Sequence, residues 1–113
     1  MAFDEALAAR IRKQLGKRKG IAEKKMFGGL AFLLNGNMSV GVHADAMIVR
    51  LDPEASAKAL KQKHTRVFDL SGKPMKGWVL VDPGGTKSDA ALAEWVAMGV
   101  SYAASLPTKL PKP

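Results

Sequence analysis

Hydrophobic residues at every fourth position mark the beginning of the chain as a helix. They are Phe3, Leu7, Ile11 and Leu15. This spacing places their side chains on one side of a helix, and the acidic residues at its start and basic residues at its end suit the helix dipole. The pattern predicts a helix from Phe3 to Leu15 that ends at Gly16 or Gly20.

Short strand-like segments separated by turn residues follow this helix. They are Lys24–Phe27, Leu30–Leu34, Met38–Val42 and Ala46–Leu51. The second and third segments enclose Asn35-Gly36, a pair typical of a β-hairpin because primed turns need a positive φ at both central residues. The pattern predicts consecutive strands joined by tight turns, and strands joined in this way pair antiparallel.

The second half of the chain combines helical and strand-like patterns. Asp52 and Pro53 are typical of a helix start, and they predict a helix from Pro53 to about Lys61. Two further strands are predicted at Arg66–Leu70 and Lys76–Val81. Ser88 can cap a last helix, and Pro107 ends it.

The order of these elements predicts the fold class. It is α-β-β-β-β-α-β-β-α, which indicates a two-layer α+β domain with an antiparallel sheet of about five to six strands. We expect a single domain at residues 1–107 and a mobile C-terminal tail at residues 108–113.

Composition argues against several classes of protein, namely those that depend on cysteine, on a signal peptide or on a membrane-spanning helix. Cysteine is absent from the 113 residues, which excludes disulfides and thiolate metal sites and fits a reducing compartment. The N-terminus lacks the apolar core of a signal peptide, and the longest apolar run, Leu30–Leu34, is too short to cross a bilayer. We therefore expect a cytoplasmic protein.

Basic residues concentrate at the start of the chain. The formal net charge is +8, and residues 1–25 hold eight basic residues against three acidic ones. On the predicted first helix some of them form a basic stripe beside the apolar side. The candidate nucleic-acid surface consists of Arg10, Lys13, Lys17, Arg18, Lys19, Lys24 and Lys25. The alternative is that these charges only keep a small domain in solution.

The glycine-rich stretch Met26–Val42 lacks the pattern of a phosphate-binding loop. Such a loop joins a strand to a helix, whereas the glycines here lead into further predicted strands. His43 and His64 lack the spacing of metal ligands, and the acidic residues stand where turns and helix caps need them. The sequence therefore predicts no enzyme, no metal site and no cofactor.

A second group of candidate residues consists of Lys73, Lys76 and Trp78. Two cations beside a large aromatic side chain are typical of surfaces that stack on a ligand. These residues are therefore a candidate partner-binding site. The alternative, which the presence of a single aromatic ring favours, is that Trp78 packs into the core while the lysines face water.

Several blocks of sequence, taken together in order, resemble one family. They are Lys24–Val42 (KKMFGGLAFLLNGNMSVGV), Met47–Leu51 (MIVRL), Gly72–Pro83 (GKPMKGWVLVDP) and the closing pattern from Trp95 to Pro107. The chain resembles the N-terminal domain of the TfoX/Sxy family over roughly residues 3–107.

The resemblance implies a compact α+β domain and a role in regulation. The family is known for regulators of natural competence that act with the cAMP receptor protein at promoters, and it has no established catalytic residues. We expect a stand-alone domain, without the C-terminal helical domain of full-length regulators, that binds a protein partner such as a transcription regulator. The alternatives are non-specific DNA or RNA binding and a small enzyme of unknown reaction. A homodimer is compatible with the first two roles.

Overall fold

The computed structural model describes residues 3–16, 18–26, 28–68 and 77–107 of the chain. Its helices are α1 (Glu5–Leu15), α2 (Pro53–Ala59) and α3 (Asp89–Ser105), with a short 3-10 helix at Pro83–Gly85. Its strands are β1 (Ile21–Met26), β2 (Gly29–Leu34), β3 (Asn37–His43), β4 (Ala46–Arg50), β5 (Thr65–Val67) and β6 (Trp78–Val81). This order confirms the predicted order of elements and the α+β class.

The strands in the described part of the chain form one six-stranded antiparallel sheet in the order β1-β2-β3-β4-β6-β5. The first four strands are neighbours in sequence order, as their tight turns predicted. After β4 the chain leaves the sheet through α2 and returns as the edge strand β5, so that β6 closes the gap between β4 and β5. Strands β1 and β5 form the two edges.

Element boundaries differ from the sequence prediction mainly in the short strands. Strand β1 begins at Ile21, ahead of the predicted Lys24, because its pairing with β2 extends to Leu34 even where charged residues interrupt the apolar pattern. Strand β5 ends at Val67. The last two residues of its predicted range lie outside the described residues, as does the predicted tail at residues 108–113.

The β2–β3 hairpin turns at the predicted Asn-Gly pair. Asn35 has φ 51° and Gly36 has φ 84°, so that both central residues have the positive φ that a primed two-residue turn requires. The predicted hairpin is confirmed.

Helix starts also follow the sequence signals. Asp4 accepts hydrogen bonds from the backbone N–H groups of Ala6 and Leu7, and Ser88 accepts one from Ala91. Asp52 caps α2 by accepting a hydrogen bond from the Ala55 N–H group. These caps satisfy backbone donors that the first helical turn leaves without partners.

One face of the sheet carries the main hydrophobic core and the helices. Alternate residues of the central strands point to this face, where they meet the buried sides of α1 and α3. The largest of these buried side chains, from the sheet and from the helices, are Ile11, Phe32, Met47, Leu92 and Trp95.

The opposite face of the sheet carries a second, smaller apolar cluster. Its buried members are Ala31, Met38, Ala46, Ile48, Phe68 and Leu80. Leu33 and Trp78 are partly buried against it. Both faces of the central strands are therefore apolar, and this explains why β2 and β4 are nearly continuous hydrophobic runs and why β3 is buried along almost its whole length.

Helix α3 touches the sheet most closely at a β-bulge. Phe32 lies opposite Val40 and Leu33 lies opposite Met38, so that Ser39 is an extra residue in β3. The Ser39 hydroxyl is buried and donates a hydrogen bond of 2.8 Å to the Phe32 carbonyl. A Cβ atom at position 99 of α3 would lie only 2.5 Å from the Ser39 carbonyl oxygen. Gly99 is therefore required for this close approach.

We predict that Gly99→Ala destabilises the protein, although replacing a helical glycine by alanine normally stabilises a helix by about 0.5–1 kcal/mol. The added methyl group would overlap the Ser39 carbonyl, and overpacking of this kind costs about 1–3 kcal/mol. Urea unfolding should show the midpoint falling. Ser101→Ala, at an exposed position of the same helix, is the control and should leave the midpoint nearly unchanged. A midpoint that rises in Gly99→Ala would contradict the close contact.

Candidate functional site

Arg10 of the predicted basic surface is directed toward the start of α3. Its Nη2 atom lies 3.2 Å from Asp89 Oδ1 and 3.3 Å from the Lys87 carbonyl oxygen. Arg10 therefore joins α1 to α3, and its charge is partly balanced.

The other candidate cations of α1 and the following loop are exposed. The side chains of Lys13, Arg18 and Lys19 make no hydrogen bond or ion pair with any described residue. Helix α1 ends at Leu15, so that the helical row of Arg10 and Lys13 ends before position 17. Lys17 itself lies outside the described residues.

The two candidate lysines of β1 point to opposite faces of the sheet. Lys25 is opposite Leu30, which belongs to the helix-covered core, whereas Lys24 is opposite Ala31 of the second cluster. Both are exposed on an edge strand, where lysine also discourages pairing with another chain. The seven predicted residues therefore do not share a single face of the molecule.

An ion pair that the sequence analysis did not predict joins α1 to β1. The Arg12 guanidinium donates two hydrogen bonds to the Glu23 carboxylate, of 2.7 Å and 2.8 Å. These hydrogen bonds are the main reason why the pKa of Glu23 is lowered and that of Arg12 is raised. Arg66 and Asp82 form a similar pair between β5 and the end of β6, and it lowers the pKa of Asp82.

Trp78 is the part of the second candidate site that the structure describes. It is the first residue of β6, half-buried against the second apolar cluster, and its ring lies 5.9 Å from that of Phe68. This position agrees with packing against a core, the alternative favoured above. Lys73 and Lys76 lie outside the described residues.

Among the described residues, the Arg50 guanidinium lies near two aromatic rings. Arg50 ends β4 directly opposite Trp78, and its Cζ atom lies 5.5 Å from the centre of the Trp78 ring. The same atom lies 5.7 Å from the centre of the Tyr102 ring on α3. Both distances are within the range of cation–π interactions. Arg50 therefore connects the two sides of the sheet at the end of β4.

A groove begins at Tyr102 and runs between α2 and α3. Its volume is about 510 Å³. The lining is mainly apolar, with a few hydroxyl groups and one carboxylate: Leu51, Asp52, Ala55, Ala97, Met98, Ser101, Tyr102 and Ser105. A groove of this kind can accept an apolar side chain at a surface that also offers polar contacts.

The histidines stand apart from each other. The His43 ring packs 5.5 Å from Phe68, with its Nδ1 atom buried and without a hydrogen-bond partner. His64 lies against the 3-10 helix, where Gly84 leaves room for its imidazole. Among residues 3–16, 18–26, 28–68 and 77–107, no cluster of side chains is suited to hold a metal ion.

Comparison of the chain with models of known families tests the family resemblance that the sequence blocks suggested. The family model of the TfoX N-terminal domain matches residues 13–103. The chain belongs to the TfoX N-terminal domain family. No curated protein and no solved structure matches the chain.

Membership has consequences for function. The TfoX N-terminal domain is a non-enzymatic family. In the described portion of this TfoX domain, the helices are too short or too polar to span a bilayer.

Arg50 and Tyr102 are residues of the TfoX domain that sequence reasoning did not select. The signal in the sequence was a single arginine at the end of the apolar run Ala46–Leu51. Such an arginine is unremarkable by itself. Its two aromatic neighbours are distant in sequence, and only the folded sheet brings them together.

We predict that Glu23→Gln lowers the stability of the TfoX domain near neutral pH by about 0.5–1 kcal/mol, because the pair with Arg12 is partly exposed to solvent. Since the pKa of Glu23 is lowered in the folded state, its contribution is complete above about pH 4.3, the usual value for an unfolded glutamate, and is lost as the pH falls through the folded-state pKa.

Urea unfolding from pH 7 to pH 3 would measure this difference. Glu94→Gln makes the same charge change at an exposed residue of α3 and is the control, with no pH-dependent loss expected from this cause. Equal effects of the two substitutions at every pH would show that the Arg12 pair does not stabilise the fold.

Proposed function

We propose that this chain is a non-catalytic cytoplasmic binding module of the TfoX type, which takes part in transcription regulation by binding a protein partner. The observation that supports this proposal is the groove between α2 and α3, with Arg50 fixed beside it through Tyr102. Family membership supports a regulatory role.

The character of the groove favours a protein over a nucleic acid. Its walls are largely apolar, and Asp52 adds a negative charge that would repel a phosphate backbone. Met98 adds a flexible side chain of the kind that adapts to partner surfaces. The net charge of +8 favours a partner with acidic groups.

We predict that Ala97→Arg abolishes retention of a stoichiometric protein partner from a native lysate. The long charged side chain would occupy the groove, since Ala97 is an exposed member of its lining. The measurement is affinity purification of the tagged protein followed by identification of the proteins retained with it.

Ala104→Arg is the matched control, because Ala104 is also an exposed alanine of α3 but lies outside the lining of the groove. The partner should remain bound to this variant and to the wild type. Failure of the wild type to retain any stoichiometric partner, or equal retention by both variants, would count against the groove as the binding surface.

A second candidate function is non-specific nucleic-acid binding. It is supported by five exposed cations that make no ion pair with described residues: Lys13, Arg18, Lys19, Lys24 and Lys25. Because they are distributed over α1, the loop that follows it and both faces of β1, they favour phosphate contacts without base readout.

We predict for this second function that affinity for duplex DNA falls as salt rises, with a log–log slope no steeper than about −4.5 for five phosphate contacts. Reversing the charge of Lys13 and Lys25 together should weaken binding and reduce the slope. Lys58→Glu with Lys61→Glu, two exposed lysines in and after α2, is the control with the same change in net charge. Equal losses in both double variants would mean that net charge alone attracts DNA.

A further inference from the structure

We propose that Arg50 is a receptor for a carboxylate, and that it binds an acidic side chain of a partner protein whose neighbouring apolar residue enters the groove between α2 and α3. This inference rests on the proposed function and specifies the chemistry of the partner.

The first argument is that the Arg50 guanidinium has aromatic contacts but hydrogen-bond donors that no described residue uses. Trp78 and Tyr102 hold it through cation–π contacts at 5.5 Å and 5.7 Å, and such contacts leave the N–H donors unused. A guanidinium has five of these donors. No described residue accepts a hydrogen bond from the Arg50 side chain. The group is thus fixed in position while its capacity to bind a planar anion remains open.

The second argument is a comparison with the other arginines of the chain. Arg10, Arg12 and Arg66 each pair with a carboxylate at 3.2 Å or less. Arg18 has no such partner among the described residues, but it lies in an exposed loop where water can solvate it. Arg50 is half-buried between aromatic side chains and has no carboxylate among the described residues. A carboxylate from outside the chain would give the Arg50 guanidinium the ion pair that the other half-buried or paired arginines already have.

The third argument is the position of Arg50 relative to the groove. Tyr102 contacts the guanidinium and also lines the groove, so that the cation and the apolar walls are adjacent. A single segment of a partner could therefore place a glutamate on Arg50 and a leucine or phenylalanine between Leu51 and Met98. Because Arg50 is held before binding, less side-chain entropy is lost when the carboxylate arrives.

A peptide is favoured over a phosphate-bearing polymer because the groove beside Arg50 also contains a negative charge. Asp52 also lines the groove, where its carboxylate caps α2 by accepting a hydrogen bond from Ala55. A segment with one acidic group can direct that group to Arg50 and present apolar atoms to the groove. A polyanion would bring further charges against Asp52.

The test uses the full chain and a panel of blocked five-residue peptides that place one glutamate between leucine and phenylalanine residues in different orders. The readouts are the NMR signals of the Arg50 Nε–H group and the Trp78 indole. At least one glutamate peptide should shift both signals saturably, and its glutamine counterpart should bind about tenfold more weakly or worse.

Variants separate recognition by Arg50 from general attraction between charges. Arg50→Gln should weaken binding of the glutamate peptide about tenfold or more, whereas Arg18→Gln, the same substitution at an exposed loop position, should leave it unchanged. Arg50→Lys keeps the charge and should still bind more weakly, because lysine lacks the planar pair of donors. Unfolding curves confirm that each variant is folded; if Arg50→Gln does not fold, Arg50→Lys is decisive.

Any of three results with the peptides would overturn the proposal, and so would a fourth result with other anions. The three peptide results are the absence of binding by the whole panel at millimolar concentration, equal binding of glutamate and glutamine peptides, and equal binding by Arg50→Lys and the wild type. Saturable shifts of Arg50 with inorganic phosphate or duplex DNA but not with peptides would also overturn it. If these results appear while Ala97→Arg still loses the natural partner, the proposed function stands and only carboxylate recognition fails.

Discussion

The close contact of α3 with the β-bulge of β3 determines the arrangement of the candidate site. Gly99 allows the helix backbone to reach the Ser39 carbonyl, and any side chain there would move α3 outward. Tyr102 lies one helical turn further along, so its distance from Arg50 depends on how deeply the helix sits. The same contact fixes the side of α3 that forms the groove with α2. A local irregularity in one strand thus positions residues from three separate elements.

The distribution of charge is explained by the two-sided sheet. Both faces of the central strands are apolar, so charged residues are restricted to edges, loops, strand ends and outer helix surfaces. Arg10, Arg12 and Arg66 pair with carboxylates at these places, and the pairs of Arg12 and Arg66 tie β1 and β5 to neighbouring elements. Arg50 ends a central strand instead of an edge, and there aromatic rings take the place of a carboxylate. The described arginines are therefore held at the periphery of the sheet by carboxylates or aromatic rings, apart from Arg18 in its exposed loop.

The candidate sites were harder to predict than the elements. Of the two predicted ends of α1, Gly16 and Gly20, the structure has the earlier one, with a φ of 61° at Gly16, so the helical row of basic residues stops after Lys13. Lys24 and Lys25 are adjacent in sequence and for that reason face opposite sides of a strand. Trp78 was selected with two lysines that lie outside the described residues, and the fold places Arg50 over its ring. Proximity in sequence does not reveal Arg50, because strand pairing brings it opposite Trp78.

The sequence by itself determined the features that depend on a few adjacent residues. Helix caps at Asp4, Asp52 and Ser88, the Asn35-Gly36 turn and the order of elements all follow from local hydrogen bonding and backbone conformation. Tertiary structure alone decided that β6 lies between β4 and β5 and that Tyr102 meets Arg50. These arrangements require packing between residues that are far apart in sequence. How deeply α3 sits on β3 sets the distance between Arg50 and Tyr102, and no local sequence signal contains that depth.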